Sequence, residues 1–153
     1  MVSSVLAPVQ QRGREALKKL GLPTRRQEAW RLTDLKRLGA IAALPVVTEA
    51  FDTFMPEVAE GVTRIVLGGK QDPLEGVMLP EGVTALTEAE LDHHLGQSLE
   101  HCGCSQAWPV ELNHAHSQQL LALRIRGKVT PLELVLATGV GLAASRVLLL
   151  LES

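Results

Sequence analysis

Three segments after residue 119 are rich in apolar side chains, and in the first two the apolar pattern has a period of two. They are LLALRIRG at 120–127, PLELVLAT at 131–138 and RVLLLLES at 146–153. The first two segments place their alternate apolar residues on one face, which predicts strands with one face in a hydrophobic core. The third is apolar on both faces, and such a strand belongs inside a structure. The carboxyl-terminal part of the chain is therefore expected to be β structure.

The three segments have similar lengths and begin near residues 120, 131 and 145, which suits the first rungs of a stacked β architecture. The last run is apolar up to Leu151, although an exposed apolar edge strand invites pairing with another chain. We therefore interpret the sequence as the front part of something longer. Residues 145–152 are expected to be either disordered or paired with a second copy.

Residues 132–151 are long enough to cross a bilayer and include fourteen apolar residues. Arg146 lies well inside this segment, and a central arginine costs about 2.5–3.5 kcal/mol on membrane-insertion scales. The GVG sequence at 139–141 also divides the segment into two strands around a turn. We expect no membrane span.

The segment PTRRQEAWRLTDL, residues 23–35, predicts a pair of short helices with their caps. Thr24 followed by Gln27 is the pattern of a capping box, and Thr33 or Asp34 can cap one further turn. Physical chemistry thus explains this segment as structure, with no ligand required. The other predicted elements are a helix at 3–20 ending at Gly21, an irregular linker at 41–61, strands at 62–69 and 82–87, a helix from the capping box TEAE at 87–90 through Leu99, and a short helix at 110–117.

Charge is distributed unevenly along the chain, although the net charge is only −2. Residues 1–40 contain nine Lys and Arg against three Asp and Glu, and residues 41–119 contain two against twelve. A basic-helix nucleic-acid-binding module is therefore one alternative. Aromatic residues make up only 3% of the chain, so the side chains that stack on bases are scarce. We favour a solvated basic face and expect no nucleic-acid partner.

A second alternative is a small metal- or redox-active protein that uses the cluster His93, His94, His101, Cys102 and Cys104. Zinc sites commonly use C-x2-C pairs, whereas the cysteine spacing here is C-x-C. On one continuous helix, His94 and His101 stand about 10 Å apart along the axis. A redox pair normally begins a helix, whereas this pair follows a predicted helix end. We predict no metal-binding, cofactor-binding or catalytic residues in this chain.

Sequence motifs of common active sites are missing. GGK at 68–70 lacks the other residues of a phosphate-binding loop, and neither G-x-S-x-G nor H-E-x-x-H occurs. His114 and His116 are two positions apart, which places them on different faces of a helix. With two cysteines and no signal peptide, we expect a reducing compartment, the cytoplasm or an equivalent such as the plastid stroma. The expected protein is not an enzyme.

As a whole, PTRRQEAWRLTDLKRL at 23–38 resembles the amino-terminal region of the SufB/SufD family of iron-sulfur cluster assembly proteins, SufD in particular. Members tend to show Leu-Gly-Leu-Pro followed by R-x-E-x-W-R-x-T-D-L, and Leu32 replaces a frequent Tyr. RIVLGG, EGVTALTEAEL, ELNHA and LLALRIRGKVTPLELVL look like later parts of the same region, so the resemblance covers nearly the full chain. The matching residues of the first motif are Leu20, Gly21, Leu22, Pro23, Arg26, Glu28, Trp30, Arg31, Thr33, Asp34 and Leu35.

The resemblance implies an α+β fold in which amino-terminal helices and a small strand-helix region lead into the first rungs of a right-handed parallel β-helix. Residues 1–118 would be the cap region, and residues 119–153 the start of the β-helix core, cut short. The implied role is a non-catalytic scaffold that works with a SufB-like subunit and a SufC-like ATPase in cluster assembly and transfer. The family's cluster-related residues lie in a later portion, so this chain is expected to hold no cofactor, although the full complex is implied to handle an iron-sulfur cluster.

Overall fold

The computed structural model describes residues 2–47, 55–68, 72–104, 106–137 and 139–153. Within these ranges the chain is mixed α+β, which confirms the predicted class in its general form. Residues 48–54 of the predicted linker and residues 69–70 of GGK lie outside the described residues. In chain order the elements are α1 (Val2–Leu20), a 3₁₀ turn (Glu28–Trp30), α2 (Leu35–Ala42), β1 (Thr63–Leu67), β2 (Val83–Ala85), α3 (Glu88–His94), α4 (Gln97–His101), α5 (Trp108–His116), β3 (Gln119–Arg126), β4 (Leu132–Leu136) and β5 (Ser145–Glu152).

Helix α1 ends where the sequence predicts. Gly21 adopts a left-handed backbone with φ 62°, and its N–H donates to the Leu17 carbonyl at 2.9 Å. The helix packs against α5 at Gly13, where a Cβ would lie 2.5 Å from the backbone nitrogen of Ala115. The two backbones therefore approach as closely as a glycine allows, and this contact sets Arg12 beside α5.

The segment that begins at Thr24 is less helical than predicted. The Thr24 N–H donates to Gln27 Oε1 at 3.0 Å, which is one half of the expected capping box, but a 3₁₀ turn follows in place of an α-helix. Trp30 packs edge-on against Trp108 of α5, with the ring centroids 6.2 Å apart. Asp34 caps α2 as predicted, because its Oδ1 accepts a hydrogen bond from a first-turn N–H at 3.1 Å.

Helix α3 begins with the predicted capping box. The Glu90 N–H donates to Thr87 Oγ1, and the Thr87 N–H donates to Glu90 Oε2 at 2.7 Å. The prediction that this helix runs through Leu99 is wrong, because α3 ends at His94. Gly96 has a φ of 92°, a left-handed conformation that glycine adopts readily and that interrupts an α-helix. The chain then restarts as α4.

Strand β3 lies at the centre of a three-stranded sheet, with β2 antiparallel on one side and β5 parallel on the other. Strands β1 and β4 form a separate parallel pair, and one isolated parallel bridge joins Val46 to Leu142. Each β3 residue lies beside the β5 residue 26 positions later, as Arg126 lies beside Glu152. The chain therefore returns to the same sheet after passing through β4 and the segment around Leu142.

The two faces of β3 contribute to two hydrophobic clusters. Leu120 and Ala122 pack with residues of α1 and α3, whereas Leu121 and Leu123 pack with residues of β1 and β2. The side chains alternate between the two faces as predicted, but both faces are buried, so the expectation that only one face lies in a hydrophobic core is wrong for this strand. Because both faces are covered, β3 forms a wall that the helical layer and the β1–β4 pair share.

Strand β5 is formed, so the expectation of disorder at residues 145–152 is wrong. One edge of β5 pairs with β3, and pairing of its other edge with a second copy stays a prediction. The predicted division of residues 132–151 into two strands is confirmed, since β4 ends at Leu136 and β5 begins at Ser145. In the part of the chain that the structure describes, no helix is long and apolar enough to cross a membrane.

Candidate functional site

Helix α5 buries two ionisable residues on the side that packs against α1. Its buried residues are Trp108, Glu111, His114 and Ala115, which cluster on one side of the helix. Glu111 is 3% exposed and His114 is fully buried. Ionisable groups at that depth need partners, because a buried and unpaired charge is costly.

The nearest polar partners of His114 come from its own helix and from α1. His114 Nδ1 lies 3.1 Å from Glu111 Oε2 and 3.2 Å from Arg12 Nη2. A single ring nitrogen cannot donate to the carboxylate and accept from the guanidinium at the same time. If Nδ1 carries the proton, Nε2 of the neutral ring is left as an acceptor. If Nδ1 accepts from Arg12, the Nε2–H is left as a donor.

Burial has the largest effect on the His114 imidazole, and it lowers the pKa. The hydrogen bond with Glu111 raises this pKa, and the positive charges of Arg146 and Arg12 lower it further. The net direction is downward, so the imidazole is neutral near pH 7. Burial also lowers the pKa of Arg146, but an arginine keeps its charge in proteins.

Arg146 of β5 completes this group, which we name the Arg12–Glu111–His114–Arg146 cluster. Arg146 Nη1 and His114 Nε2 are buried and have no hydrogen-bond partner among the described residues. Both side chains line a cavity of about 420 Å³ between α4, α5 and β5. An apolar lining with a few convergent polar groups is the usual composition of a small-ligand site. The apolar lining consists of Leu95, Leu99, Pro109, Val110, Val147 and Leu148.

Two side-chain contacts hold the elements that carry the cluster. Gln10 Nε2 donates to the Ser117 carbonyl at 2.6 Å and ties α1 to the end of α5. Asn113 Nδ2 donates to the Ser145 carbonyl at 3.2 Å and ties α5 to the start of β5. The cluster is thereby built on helices and a strand, which position side chains more firmly than loops do.

The His/Cys cluster weighed from the sequence is divided between α3, α4 and the turn that follows. Across the described ranges, no three His, Cys, Asp or Glu side chains are grouped so that they could hold a metal ion. The break at Gly96 also removes the continuous helix on which the His94–His101 spacing was estimated. Cys102 and Cys104 are exposed, and the hydrogen bond with Cys102 and its charge raise the pKa of Cys104. An activated thiol has a lowered pKa, so this arrangement works against redox reactivity.

The basic residues of the amino-terminal segment lie at the surface. Arg25, Arg26 and Arg31 are exposed, and Arg31 Nε lies 3.4 Å from Glu28 Oε1. Exposed pairs of this kind contribute little to stability because water screens them. This is the geometry of a solvated face, and nucleic-acid binding there stays a hypothesis.

No local sequence pattern distinguishes Arg12 or Glu111 as a site residue, and at the sequence level Arg146 bears only on the cost of membrane insertion. In the sequence, His114 lies in the ELNHA segment, two positions before His116, which is half-buried where His114 is fully buried. The available signals were an E-x-x-H step on a short helix and an arginine within an apolar strand. Both sequence features are common in proteins. The residues that carry them come together only because α1 and β5 pack against α5.

No protein-family model matches the chain, and comparison with curated proteins and with solved structures found no match. Its function therefore has to be inferred from the strand pairing and from the Arg12–Glu111–His114–Arg146 cluster.

Proposed function

We propose that the chain is the amino-terminal part of a SufD-like scaffold subunit that acts in iron-sulfur cluster assembly and transfer. In this role residues 1–118 cap a right-handed parallel β-helix, and residues 119–153 begin its first coils. The observation that carries the proposal is the parallel register of β3 and β5, in which neighbours are 26 positions apart. The motif at 20–35 supports it from the sequence side.

A parallel β-helix places strands of successive coils side by side in the same direction. Between Gln119 and Ser145 the chain runs through β3, β4 and the segment at Leu142 before it returns beside its starting point. Each of these three sides has a parallel neighbour, namely β5 for β3, β1 for β4 and Val46 for Leu142. This pattern supports a coil of 26 residues with three sides.

Amino-terminal segments lie along one edge of the proposed first coil. Strand β2 pairs with the free side of β3, β1 pairs with β4, and Val46 pairs with Leu142. Ile65 and Leu67 of β1 are buried in the same cluster as Leu121 and Leu123 of β3. Stacked repeats need such caps, because an uncovered first repeat exposes strand edges and core side chains. We infer that capping is the role of residues 1–118.

In the proposed role the chain is not itself an enzyme and carries no cofactor of its own. It acts with a SufB-like subunit and a SufC-like ATPase in a reducing compartment, and the whole complex handles the cluster. The exposed Arg25, Arg26 and Arg31 are a candidate docking surface for the SufB-like side of the complex or for the sulfur donor.

The test is to tag the natural gene product at its amino terminus in the source organism, purify it, and determine its intact mass and its partners. The expected product is longer than 153 residues and copurifies with a SufB-like subunit and a SufC-like ATPase. Replacing Arg25, Arg26 and Arg31 together by Glu should weaken copurification if they dock a partner, and the matched control replaces Lys18 and Lys19 by Glu. A product that ends at Ser153 and copurifies with neither subunit would contradict the proposal.

A further inference from the structure

Arg146 and His114 both line the cavity between α4, α5 and β5, and each has a buried nitrogen atom with no partner among the described residues. We propose that this cavity binds a small monocarboxylate with an apolar body, whose carboxylate accepts hydrogen bonds from Arg146 Nη1 and His114 Nε2. The inference rests on the cavity and its side chains and holds whether or not the chain is a scaffold subunit. A buried donor without a partner loses free energy, and a bound acceptor removes that loss.

The charges around the cavity favour an anion. Arg12 of α1, Glu111 and His114 of α5, and Arg146 of β5 interact electrostatically with one another. Among the described residues that line this cavity, Arg146 is the charged one when the imidazole is neutral, whereas Arg12 and Glu111 line the neighbouring cavity and have opposite charges, so a single positive charge remains. One bound carboxylate neutralises it and favours a ring form in which Nε2 carries a proton. A phosphate dianion would instead leave a surplus negative charge near Glu111.

The walls of the cavity favour an apolar body on the anion. Leu95 and Leu99 line it on the side of α3 and α4, Pro109 and Val110 on the side of α5, and Leu148 on β5. A volume of about 420 Å³ lies within the range of small-molecule sites. An inorganic anion has no apolar surface to bury against these walls. A short alkyl chain is removed from water there, which makes its binding more favourable.

A second cavity, of about 490 Å³, lies along α1 but does not have this character. Its lining includes Arg12 and Lys19 together with Glu15, Glu100 and Glu111, so charges of both signs already face each other. Neither Arg146 nor His114 belongs to that lining. We therefore assign the monocarboxylate site to the cavity of about 420 Å³ between α4, α5 and β5.

The probes are hexanoate, its neutral isostere hexanamide, and inorganic phosphate, titrated into the 153-residue chain by calorimetry and by NMR of the His114 ring. Hexanoate is expected to bind about tenfold or more tightly than either control, because only it offers both the charge and the apolar body. Its binding should also raise the pKa of His114. Equal affinity for hexanamide overturns the role of Arg146, and equal affinity for phosphate overturns the monocarboxylate assignment.

Arg146→Met removes the guanidinium and should weaken hexanoate binding about tenfold or more. Arg37→Met is the matched control, because the Arg37 side chain is 87% exposed on α2 and should leave binding unchanged. If Arg146→Met fails to fold, Val110→Phe fills the cavity while both nitrogen atoms remain, and the same loss is expected. Unchanged hexanoate affinity in either folded variant would overturn the proposal.

Discussion

Leu123 of β3 and Leu149 of β5 lie side by side in parallel register, yet Leu123 is fully buried and Leu149 is 44% exposed. Neighbours in a parallel pair point to the same side of the sheet, so both side chains belong to one row. Val147 and Leu151 flank Leu149 on this row and are 43% and 72% exposed. In the proposed β-helix, later sides of the coil that begins with β5 cover this row, as β4 helps to cover Leu123.

This relationship predicts that two identical substitutions have unequal costs. Leu123→Ala should lower the free energy of unfolding by about 2–5 kcal/mol, because it leaves a cavity in a packed cluster. Leu149→Ala should cost less than about 1 kcal/mol, since the side chain is half in water already. Chemical denaturation followed by circular dichroism measures both, and equal losses would contradict the burial difference. In a longer natural product, the cost of Leu149→Ala should rise towards that of Leu123→Ala.

Among the described residues, β5 pairs with β3 along one edge only, and this predicts self-association of the 153-residue chain, because an apolar edge strand offers unpaired backbone groups. Replacing Val147 and Leu149 together by Lys should shift the chain towards monomer in sedimentation velocity. Leu32→Lys is the control, since Leu32 is 92% exposed but lies far along the chain from this edge. Association that is the same in both variants would show that β5 is not the contact.

Two glycines predict opposite effects of the same substitution. Gly13→Ala should destabilise the fold by about 1–3 kcal/mol, because its Cβ would lie 2.5 Å from the backbone nitrogen of Ala115. Gly39→Ala in α2 meets only the end of the Leu22 side chain at 3.4 Å and should stabilise by up to about 1 kcal/mol. Thermal unfolding of both variants checks the signs. A gain from Gly13→Ala would mean that α1 packs less closely on α5.

Local patterns predicted the elements whose causes are local. Asp34 and Thr87 cap helices through atoms within three residues, so the sequence pattern suffices to predict them. Burial of both faces of β3 depends instead on the distant segments that pack against it. The break at Gly96 was missed because the leucine spacing continued past it. The Arg12–Glu111–His114–Arg146 cluster was missed for another reason: His114 and Arg12 are 102 positions apart, and only the folding of α1 onto α5 brings them together.

The lowered pKa of the Glu90 carboxyl predicts that the folded state loses stability in acid. The Thr87 backbone N–H, then the Thr87 hydroxyl, then Arg124 lower the pKa of Glu90 from 4.5 to about 2. A carboxyl with a lowered folded-state pKa stabilises the fold above its unfolded pKa, and the contribution is lost as pH falls from about 4.5 to about 2. Glu90→Gln should flatten the pH dependence of unfolding in this range, whereas Glu57→Gln at an exposed position should not. An unchanged profile in Glu90→Gln would contradict the assignment.

The buried imidazole of His114 predicts a second loss of stability on acidification, which begins at a higher pH than the loss caused by Glu90. Burial lowers the pKa of His114, so the fold favours the neutral ring, and its contribution is complete above the unfolded value of about 6.5 and is lost as pH falls below it. Glu111 opposes this shift, while Arg146 and Arg12 reinforce it. Glu111→Gln should therefore lower the pKa of His114 further and make the fold more sensitive to acid.

NMR titration of the His114 ring in the wild-type chain and in Glu111→Gln measures this directly. His116 is the internal control, because burial and Arg14 lower its pKa and Glu111 is not among the causes. A pKa of His114 that rises in the variant would mean that relief of burial outweighs loss of the carboxylate. If the His114 pKa falls and that of His116 stays, the hydrogen bond at 3.1 Å is the interaction that keeps this imidazole protonatable inside the fold.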